Sequence, residues 1–270
     1  MTQETPPARF QPESTFPEYR QGAAPQSPYP GQRVPLNTPQ TRPIVTSTLL
    51  VISILVFLLQ QVSIYMTGGL DLVANLGLKV NELILEGEFW RLITPMFLHG
   101  SLLHLGFNMY ALLIFGPGLE RYYGHARFLL LYLLGGFAGN VVSFMFSASP
   151  SLGSSTAIFG LLGAEGVFLY RNQQLFGGVA RRALSNIILI AIINLAIGLS
   201  PGIDNWGHLG GLVGGTLFAW LGGPILKLEG FYPMVGVVDE REWRDAVWAA
   251  LVDGGLFGIL VMATIYIRSS

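Results

Sequence analysis

Cysteine is absent from this chain of 270 residues, and charged residues are scarce. Without cysteine there can be no disulfide, no thiolate metal site and no cysteine nucleophile. Asp, Glu, Lys and Arg make up 11% of the residues, whereas soluble domains carry about 25%. Hydrophobic residues make up 51%, which together with the shortage of charge favours a membrane protein. The net charge of −1 and the lack of a basic patch predict no nucleic-acid partner.

Residues 1–43 differ in composition from the rest of the chain, because they are rich in Pro, Gln, Thr and Ser. Such a segment buries too little apolar surface to offset the entropy lost on ordering, so we expect a disordered cytoplasmic tail. It lacks the apolar core of a signal peptide, and its Glu4, Glu13 and Glu18 fit poorly with an Arg-rich transit peptide. We therefore expect the first membrane helix to act as an uncleaved insertion signal.

Seven apolar segments follow, each close to the roughly 20 residues that cross a bilayer. They are 44–66, 101–118, 126–147, 154–171, 183–200, 205–222 and 246–267. This pattern predicts an all-α polytopic transmembrane bundle. The first two segments are separated by a long loop at 67–100, and the last is preceded by a linker at 223–245, which we expect on the cytoplasmic side.

The basic residues near the helix ends predict the orientation, because cytoplasmic loops carry an excess of Lys and Arg. The expected inner side holds Arg33, Arg42, Arg121, Arg127, Arg171, Arg181, Arg182, Lys227, Arg241 and Arg244. The expected outer side holds Lys79, Arg91 and Arg268. This asymmetry predicts a cytoplasmic N-terminus and an outer C-terminus.

Polar residues lie at the start of three segments that all run inward from the outer face. His104 and Asn108 lie early in the second segment, Ser155 opens the fourth, and His208 opens the sixth. Polar groups in hydrocarbon are costly and by default mark a functional site. A serine and a histidine at one depth suggest a nucleophile and its base, and hence a protease acting inside the bilayer.

Each of these polar residues also has a purely structural interpretation. His104 and Asn108 share a helix face and can both donate to an oxyanion, but they can equally bond neighbouring helices. Ser155 lies where the positive end of a helix dipole favours developing negative charge, but serine is also a common N-cap. His208 is less easily explained in this way, because hydrocarbon disfavours a histidine without a role.

Small residues around the serine and the histidine predict close contact between their helices. Gly207, Gly211 and Gly215 form one column of the sixth segment, and Gly160 with Ala164 forms a row on the fourth. Such rows let helices approach closely in lipid, which a Ser–His hydrogen bond of roughly 2.6–3.2 Å requires. General helix packing explains these glycines equally well.

No acidic residue lies at the depth of Ser155 and His208, so a dyad is favoured over a triad. Asp204 precedes His208 by four residues and is expected in the outer loop. Phe159 follows Ser155 by one helical turn and is expected to pack its ring against the His208 imidazole. No H-E-x-x-H sequence or equivalent ligand set is present, which disfavours a metalloprotease.

Four sequence features together resemble the rhomboid family of intramembrane serine proteases. They are Gly87-Glu88-Phe89-Trp90-Arg91, His99-(x4)-His104-(x3)-Asn108, Gly116-(x3)-Glu120-(x3)-Gly124, and the serine motif at 153–160 paired with His208-Leu209-Gly210-Gly211. The resemblance covers roughly 44–222, six segments in the family's order. The segment 246–267 resembles the seventh helix that some members append to the six-helix core.

The resemblance implies roles for individual residues. Ser155 would be the nucleophile and His208 its general base. His104, Asn108 and the Ser155 backbone N–H would form the oxyanion hole, and Phe159 would stack on the histidine. Structural roles are implied for four further residues: Trp90, Arg91, His99 and Glu120.

The resemblance also implies the substrate class, which is transmembrane proteins cleaved near the outer surface of the bilayer, without a cofactor or a metal. Because no organelle signal is evident, we expect a bacterial plasma membrane. The family pattern is Gly-x-Ser-Gly, and this chain has Thr156 after the serine. A β-branched residue restricts the backbone and the close approach that glycine permits, although threonine is acceptable within a helix.

Two other functions are compatible with a polar layer in the membrane. One is a proteolytically inactive rhomboid-like protein that binds membrane clients as an adaptor or chaperone; loss of Ser155 or His208 is its usual mark, and both are present. The other is a small transporter. Transporters favour midplane sites and inverted repeats, whereas this polar layer is shallow and no repeat is visible.

Overall fold

Long apolar helices account for most of the computed structural model, which describes residues 41–231 and 234–269. In chain order the helices are α1 Ile44–Thr67, α2 Leu72–Gly77, α3 Asn81–Leu85, α4 Leu102–Tyr123, α5 His125–Phe146, α6 Ser155–Arg171, α7 Gln173–Phe176, α8 Gly178–Ile197, α9 Asn205–Gly222 and α10 Trp243–Ser269. The predicted all-α polytopic bundle is confirmed. Of the predicted tail, residues 1–40 lie outside the described part of the chain.

Each of the seven predicted segments overlaps one of the long helices. By length and composition, α1, α4, α5, α8 and α10 are able to cross a membrane. The remaining two long helices are α6 with 17 residues and α9 with 18, and neither is both long enough and apolar enough to cross a membrane by the same criteria. They are packed against each other and against α5, so that neighbouring helices cover them. These two short helices carry Ser155 and His208.

The boundary between α4 and α5 differs from the prediction. The expected break at residues 119–125 is reduced to Gly124 alone, because α4 continues through Pro117 as far as Tyr123. Glu120 and Tyr123 in this extra turn are buried, so tertiary contacts stabilise a turn that the Pro-Gly pair disfavours.

The predicted linker at 223–245 contains an antiparallel hairpin that the sequence analysis missed. Strands β1 Leu226–Phe231 and β2 Met234–Asp239 pair in a register that runs from Leu226 opposite Asp239 to Phe231 opposite Met234. Helix α10 then begins at Trp243, slightly before the predicted start of the seventh segment. A search for long apolar runs overlooks strands of six residues, which explains the omission.

Two side chains anchor this hairpin to the helices. Arg127, at the start of α5, donates from Nη1 to Oδ2 of Asp239 at 2.7 Å. Asn172, which follows α6, accepts the Leu226 backbone N–H at 2.7 Å and donates to the Pro224 carbonyl at 3.2 Å. The hairpin is thus held at the start of α5 and at the end of α6.

Glu120 joins α4 to the beginning of α1. Its buried carboxylate accepts the backbone N–H groups of Val45 and Thr46 at 2.8 Å and the Thr46 hydroxyl at 2.6 Å. His125 Nδ1 lies 2.6 Å from the same carboxylate. Helix α1 has no side-chain cap of its own, so Glu120 satisfies N–H groups that would otherwise lack partners.

The loop between α1 and α4 is held by contacts to its own backbone. Trp90 donates from its indole to the Leu76 carbonyl at 3.0 Å. The buried Arg91 guanidinium donates to the carbonyls of Leu78 and Asn75 at 2.8 and 2.9 Å and pairs with Glu88 at 2.6 Å. These bonds stitch α2 to the short 3-10 helix at Phe89–Leu92.

Lys79 ties this loop to the segment between α5 and α6. Its backbone pairs with Ser151, and its Nζ donates to the Ser147 carbonyl at 3.1 Å. Burial of the ammonium group lowers the pKa of Lys79 from 10.5 to about 8, although the nearby Asp204 carboxylate opposes this effect. The lysine is therefore a cation without full solvation near neutral pH.

The pH dependence of stability tests this burial. Between about pH 8 and 10.5 the unfolded state binds more protons at Lys79 than the folded state, so the free energy of unfolding rises with pH. We expect Lys79→Met to abolish this rise, as followed by thermal unfolding in detergent micelles from pH 7.5 upward. Lys227→Met, at the exposed second lysine of the chain, should keep the rise; an identical pH profile for wild type and Lys79→Met would contradict the interpretation.

Candidate active site

Ser155 and His208 lie at the N-terminal ends of two helices in contact. Ser155 is the first residue of α6, and His208 lies in the first turn of α9. The Oγ atom of Ser155 and Nε2 of His208 are 3.0 Å apart, which is hydrogen-bond distance. The two residues that the sequence analysis paired by depth are thus direct neighbours.

Glycines allow α6 and α9 to meet backbone to backbone just below this pair. A Cβ atom on Gly211 would lie 2.0 Å from the carbonyl oxygen of Thr156, and one on Gly215 would lie 2.1 Å from that of Gly160. Gly160 in turn faces Gly135 of α5, whose Cα lies 3.0 Å from where a Cβ of Gly160 would be. Any side chain at these positions would push the helices apart and separate Ser155 from His208.

The His208 ring is stacked on Phe159 and, among the described residues, forms no hydrogen bond with a carboxylate. Phe159 lies parallel to the imidazole, with ring centroids 4.3 Å apart and an interplanar angle of 10°. Within the described residues, the buried Nδ1 of His208 has no hydrogen-bond partner. Asp204 instead accepts the Gly207 backbone N–H at 3.0 Å, as the N-cap of α9, and the Ser143 hydroxyl. Ser155, His208 and the stacked Phe159 ring thus form one contiguous group.

His104 and Asn108 reach the same cavity from α4. A Cβ on Gly153 would lie 2.7 Å from the His104 ring, so the glycine, with a φ of +131°, lets the imidazole approach the turn before Ser155. The Asn108 amide donates to the His104 carbonyl at 2.9 Å, which leaves its second N–H for another acceptor. Both residues line the cavity together with Ser155.

His99 supports this layer from outside the cavity. Its Nε2 lies 3.3 Å from the Ser154 hydroxyl, and its ring meets that of His104 edge-on with centroids 5.3 Å apart. Burial, and to a lesser extent His104, lowers the pKa of His99 to about 4, so its ring is neutral at physiological pH. The structural role that the resemblance implies for His99 stays a prediction.

Gln60 of α1 is a supporting residue that the sequence analysis missed. It accepts the His99 backbone N–H at 3.1 Å, donates to the His99 carbonyl at 3.2 Å and donates to Asp71 at 2.8 Å. The available signal was the amide side chain of Gln60 inside a mainly apolar segment. Gln60 thereby connects α1 to the residues that precede α4.

A cavity of about 720 Å³ gives access to the dyad. Its polar rim includes Ser147, Ser149, Ser151 and Asp204, and its walls include residues of α4 and α8. Ser154 and Asn205, which are close in sequence to Ser155 and His208, do not line this cavity. Ser154 is buried against His99, and Asn205 donates to the Leu195 carbonyl at 3.2 Å, at the end of α8.

The contact at Gly211 gives a direct test of the helix spacing. Gly211→Ala places a methyl group inside the Thr156 backbone, so we expect a loss of about 1–3 kcal/mol in stability, measured by thermal unfolding in detergent micelles. Gly118→Ala is the matched control, since a Cβ at Gly118 meets nothing within 4 Å. Equal midpoints for the two variants would rule out a tight contact at Gly211.

The amino-acid sequence matches one family model and several named proteins. Residues 86–225 match the family model of the Rhomboid domain. The chain is 46% identical over 217 residues to Rhomboid protease GluP of Bacillus subtilis (strain 168), covering 80% of this chain and 40% of that protein. It is also 39% identical over 166 residues to the chloroplastic RHOMBOID-like protein 9 of Arabidopsis thaliana, covering 60% and 37%, respectively.

A third relative is the mitochondrial RHOMBOID-like protein 6 of Arabidopsis thaliana. It is 43% identical over 141 residues, covering 52% of this chain and 46% of that protein. The chain thus spans between 37% and 46% of the length of these three relatives.

Proposed function

The chain belongs to the rhomboid family, and we propose that it is an intramembrane serine endopeptidase that cleaves transmembrane proteins with Ser155 and His208. The observation that carries this proposal is the 3.0 Å distance between Ser155 Oγ and His208 Nε2, at a cavity that is partly lined by polar residues. A serine and a histidine in hydrogen-bond contact within a membrane bundle fit nucleophilic catalysis better than helix packing.

In the proposed first step, Ser155 Oγ attacks the carbonyl carbon of the scissile peptide bond while Nε2 of His208 takes the hydroxyl proton. This requires the neutral tautomer with the proton on Nδ1. The histidinium then donates its Nε2 proton to the leaving amine, and an acyl-enzyme remains on Ser155. Water deprotonated by His208 attacks this ester, and the histidinium returns the proton to Ser155 Oγ as the second product leaves. Stacking on Phe159 holds the ring in place of a carboxylate.

Three groups are suited to stabilise the oxyanion of the tetrahedral intermediate. The Ser155 backbone N–H lies at the start of α6, where helix N–H groups lack intrahelical acceptors. Asn108 keeps one amide N–H free of the His104 carbonyl, and the His104 ring borders the same cavity. Donors fixed in advance at this position stabilise developing negative charge without reorganisation.

The position of the dyad supports cleavage near one membrane surface. Ser155 and His208 open their helices, and the rim of hydroxyl groups at Ser147, Ser149 and Ser151 offers water a path to them. A helical substrate segment must unwind there, since helical hydrogen bonds shield its carbonyl groups. We infer from the basic residues that this surface is the outer one, with a six-helix core over 44–222 and α10 appended.

Removal of either member of the dyad tests the proposal. We expect Ser155→Ala and His208→Ala to lower kcat for a model transmembrane substrate by about a thousandfold or more in liposomes. Wild type should react with a fluorophosphonate at Ser155, and neither variant should. Ser185→Ala, on α8 and bonded to the Arg181 carbonyl, serves as the matched serine control. A folded wild type that neither cuts nor reacts would instead favour the client-binding alternative.

The oxyanion assignment makes a separate prediction. Asn108→Ala should lower kcat by about 10² to 10³-fold with little change in KM, because the lost bond forms mainly in the transition state. Asn75→Ala, at an exposed residue of α2, should leave both parameters unchanged. A rise in KM without loss of kcat in Asn108→Ala would assign Asn108 to substrate binding and contradict its oxyanion role.

A further inference from the structure

Thr156, the residue after the proposed nucleophile, is buried, and its hydroxyl group forms no hydrogen bond within the described part of the chain. Its side chain is 4% exposed, and its Oγ1 has no hydrogen-bond partner among the residues that the structure describes. A buried hydroxyl without a partner costs free energy. The hydroxyl group therefore does not explain why a threonine occupies position 156. The γ-methyl group is the other part of the side chain that can explain it.

Two glycines from different helices make room for the side chain of Thr156. A Cβ on Gly139 of α5 would lie 2.6 Å from the Thr156 Cβ and 2.9 Å from its Cγ2. A Cβ on Gly207 of α9 would lie 3.0 Å from the same Cγ2. The methyl group thus occupies a slot whose two walls are backbone, and we call Gly139 and Gly207 the Thr156 slot.

The slot is next to both members of the dyad. Thr156 follows Ser155 in α6, and Gly207 precedes His208 in α9. A change in the distance between Thr156 and Gly207 therefore moves Ser155 relative to His208, with no flexible side chain between them to absorb it. Close-packed interiors transmit such displacements because few voids are available.

We propose that Thr156 is a positioning residue whose γ-methyl group, wedged in the Thr156 slot, sets the distance between Ser155 and His208. The role rests on the proposed function, since it concerns the geometry of the same dyad. It also gives a reason for the departure from Gly-x-Ser-Gly. The space that a threonine needs is supplied by the facing Gly139 and Gly207, so a glycine at 156 would leave a void instead of restoring a site.

Three substitutions at Thr156 separate the methyl group from the hydroxyl. Thr156→Val keeps the β-branched shape and removes the unpartnered hydroxyl, so we expect kcat to be retained. Thr156→Ser keeps the hydroxyl and loses the methyl, and Thr156→Gly loses both. We expect each of these two to lower kcat by about tenfold or more with KM unchanged, because small misplacements of reacting groups are costly.

A double-mutant cycle tests the contact between Thr156 and Gly207. In wild type, the new Cβ of Gly207→Ala must displace the Thr156 methyl and Asp204 Oδ2, each 3.0 Å away, so kcat should fall. In the Thr156→Gly background the Thr156 methyl group is absent, so Gly207→Ala should lower kcat by a smaller factor than it does in wild type. Gly118→Ala, on the open face of α4, should have the same small effect in both backgrounds.

The readouts are kcat, KM, the rate of Ser155 labelling by a fluorophosphonate and the thermal midpoint in detergent micelles. Loss of labelling rate at an unchanged midpoint supports positioning. The proposal is overturned if Thr156→Gly matches or exceeds wild type, if Thr156→Ser is active and Thr156→Val is not, or if activity falls only in step with the midpoint. If wild type is not labelled, the proposed function is overturned, and the positioning role of Thr156 is overturned with it. If wild type is labelled and Thr156→Gly is labelled at an equal rate, only the positioning role is overturned.

Discussion

The direct backbone contact between α6 and α9 is the constraint on which the site depends. In a bilayer, apolar side chains gain little free energy by moving from lipid into a helix interface, so helices associate through close packing and hydrogen bonds. Here Gly211 lies against the Thr156 carbonyl and Gly215 against the Gly160 carbonyl. This contact brings the first turns of two short helices together, and Ser155 and His208 extend from those turns. Helices α4, α5, α8 and α10 pack against α6 or α9 and cover apolar surface of these two short helices.

Polar side chains outside the site mainly satisfy backbone groups at the ends of helices and in loops. Glu120 accepts N–H groups at the start of α1, Arg91 donates to carbonyls in the first loop, and Asn172 bonds both sides of the turn into β1. At the site, His208 Nδ1 and Thr156 Oγ1 are buried without hydrogen-bond partners among the described residues. Both carboxylate oxygens of Asp253 and the hydroxyl groups of Tyr123 and Tyr132 are likewise without partners, so these costly groups occur across the bundle and not at the site alone.

Several features escaped the sequence analysis for identifiable reasons. The hairpin at β1 and β2 consists of short strands, and its anchors Arg127 and Asp239 are 112 residues apart. The extra turn of α4 exists because Glu120 is buried against α1, a contact that the local Pro-Gly signal cannot report. Gly139 looked like one of many helix glycines until its opposite neighbour proved to be Thr156. All three depend on contacts between distant parts of the chain.

The amino-acid sequence is enough to predict the seven long helices, the membership of the rhomboid family, and the positions of Ser155, His104, Asn108 and His208 near the starts of three segments. These follow from hydropathy and residue spacing, which are local properties. The packing of the helices places Ser155 Oγ 3.0 Å from His208 Nε2, leaves His208 Nδ1 without a hydrogen-bond partner among the described residues, and sets Thr156 between Gly139 and Gly207. Those depend on how closely helices approach, and that distance is set by the residues of both helices together.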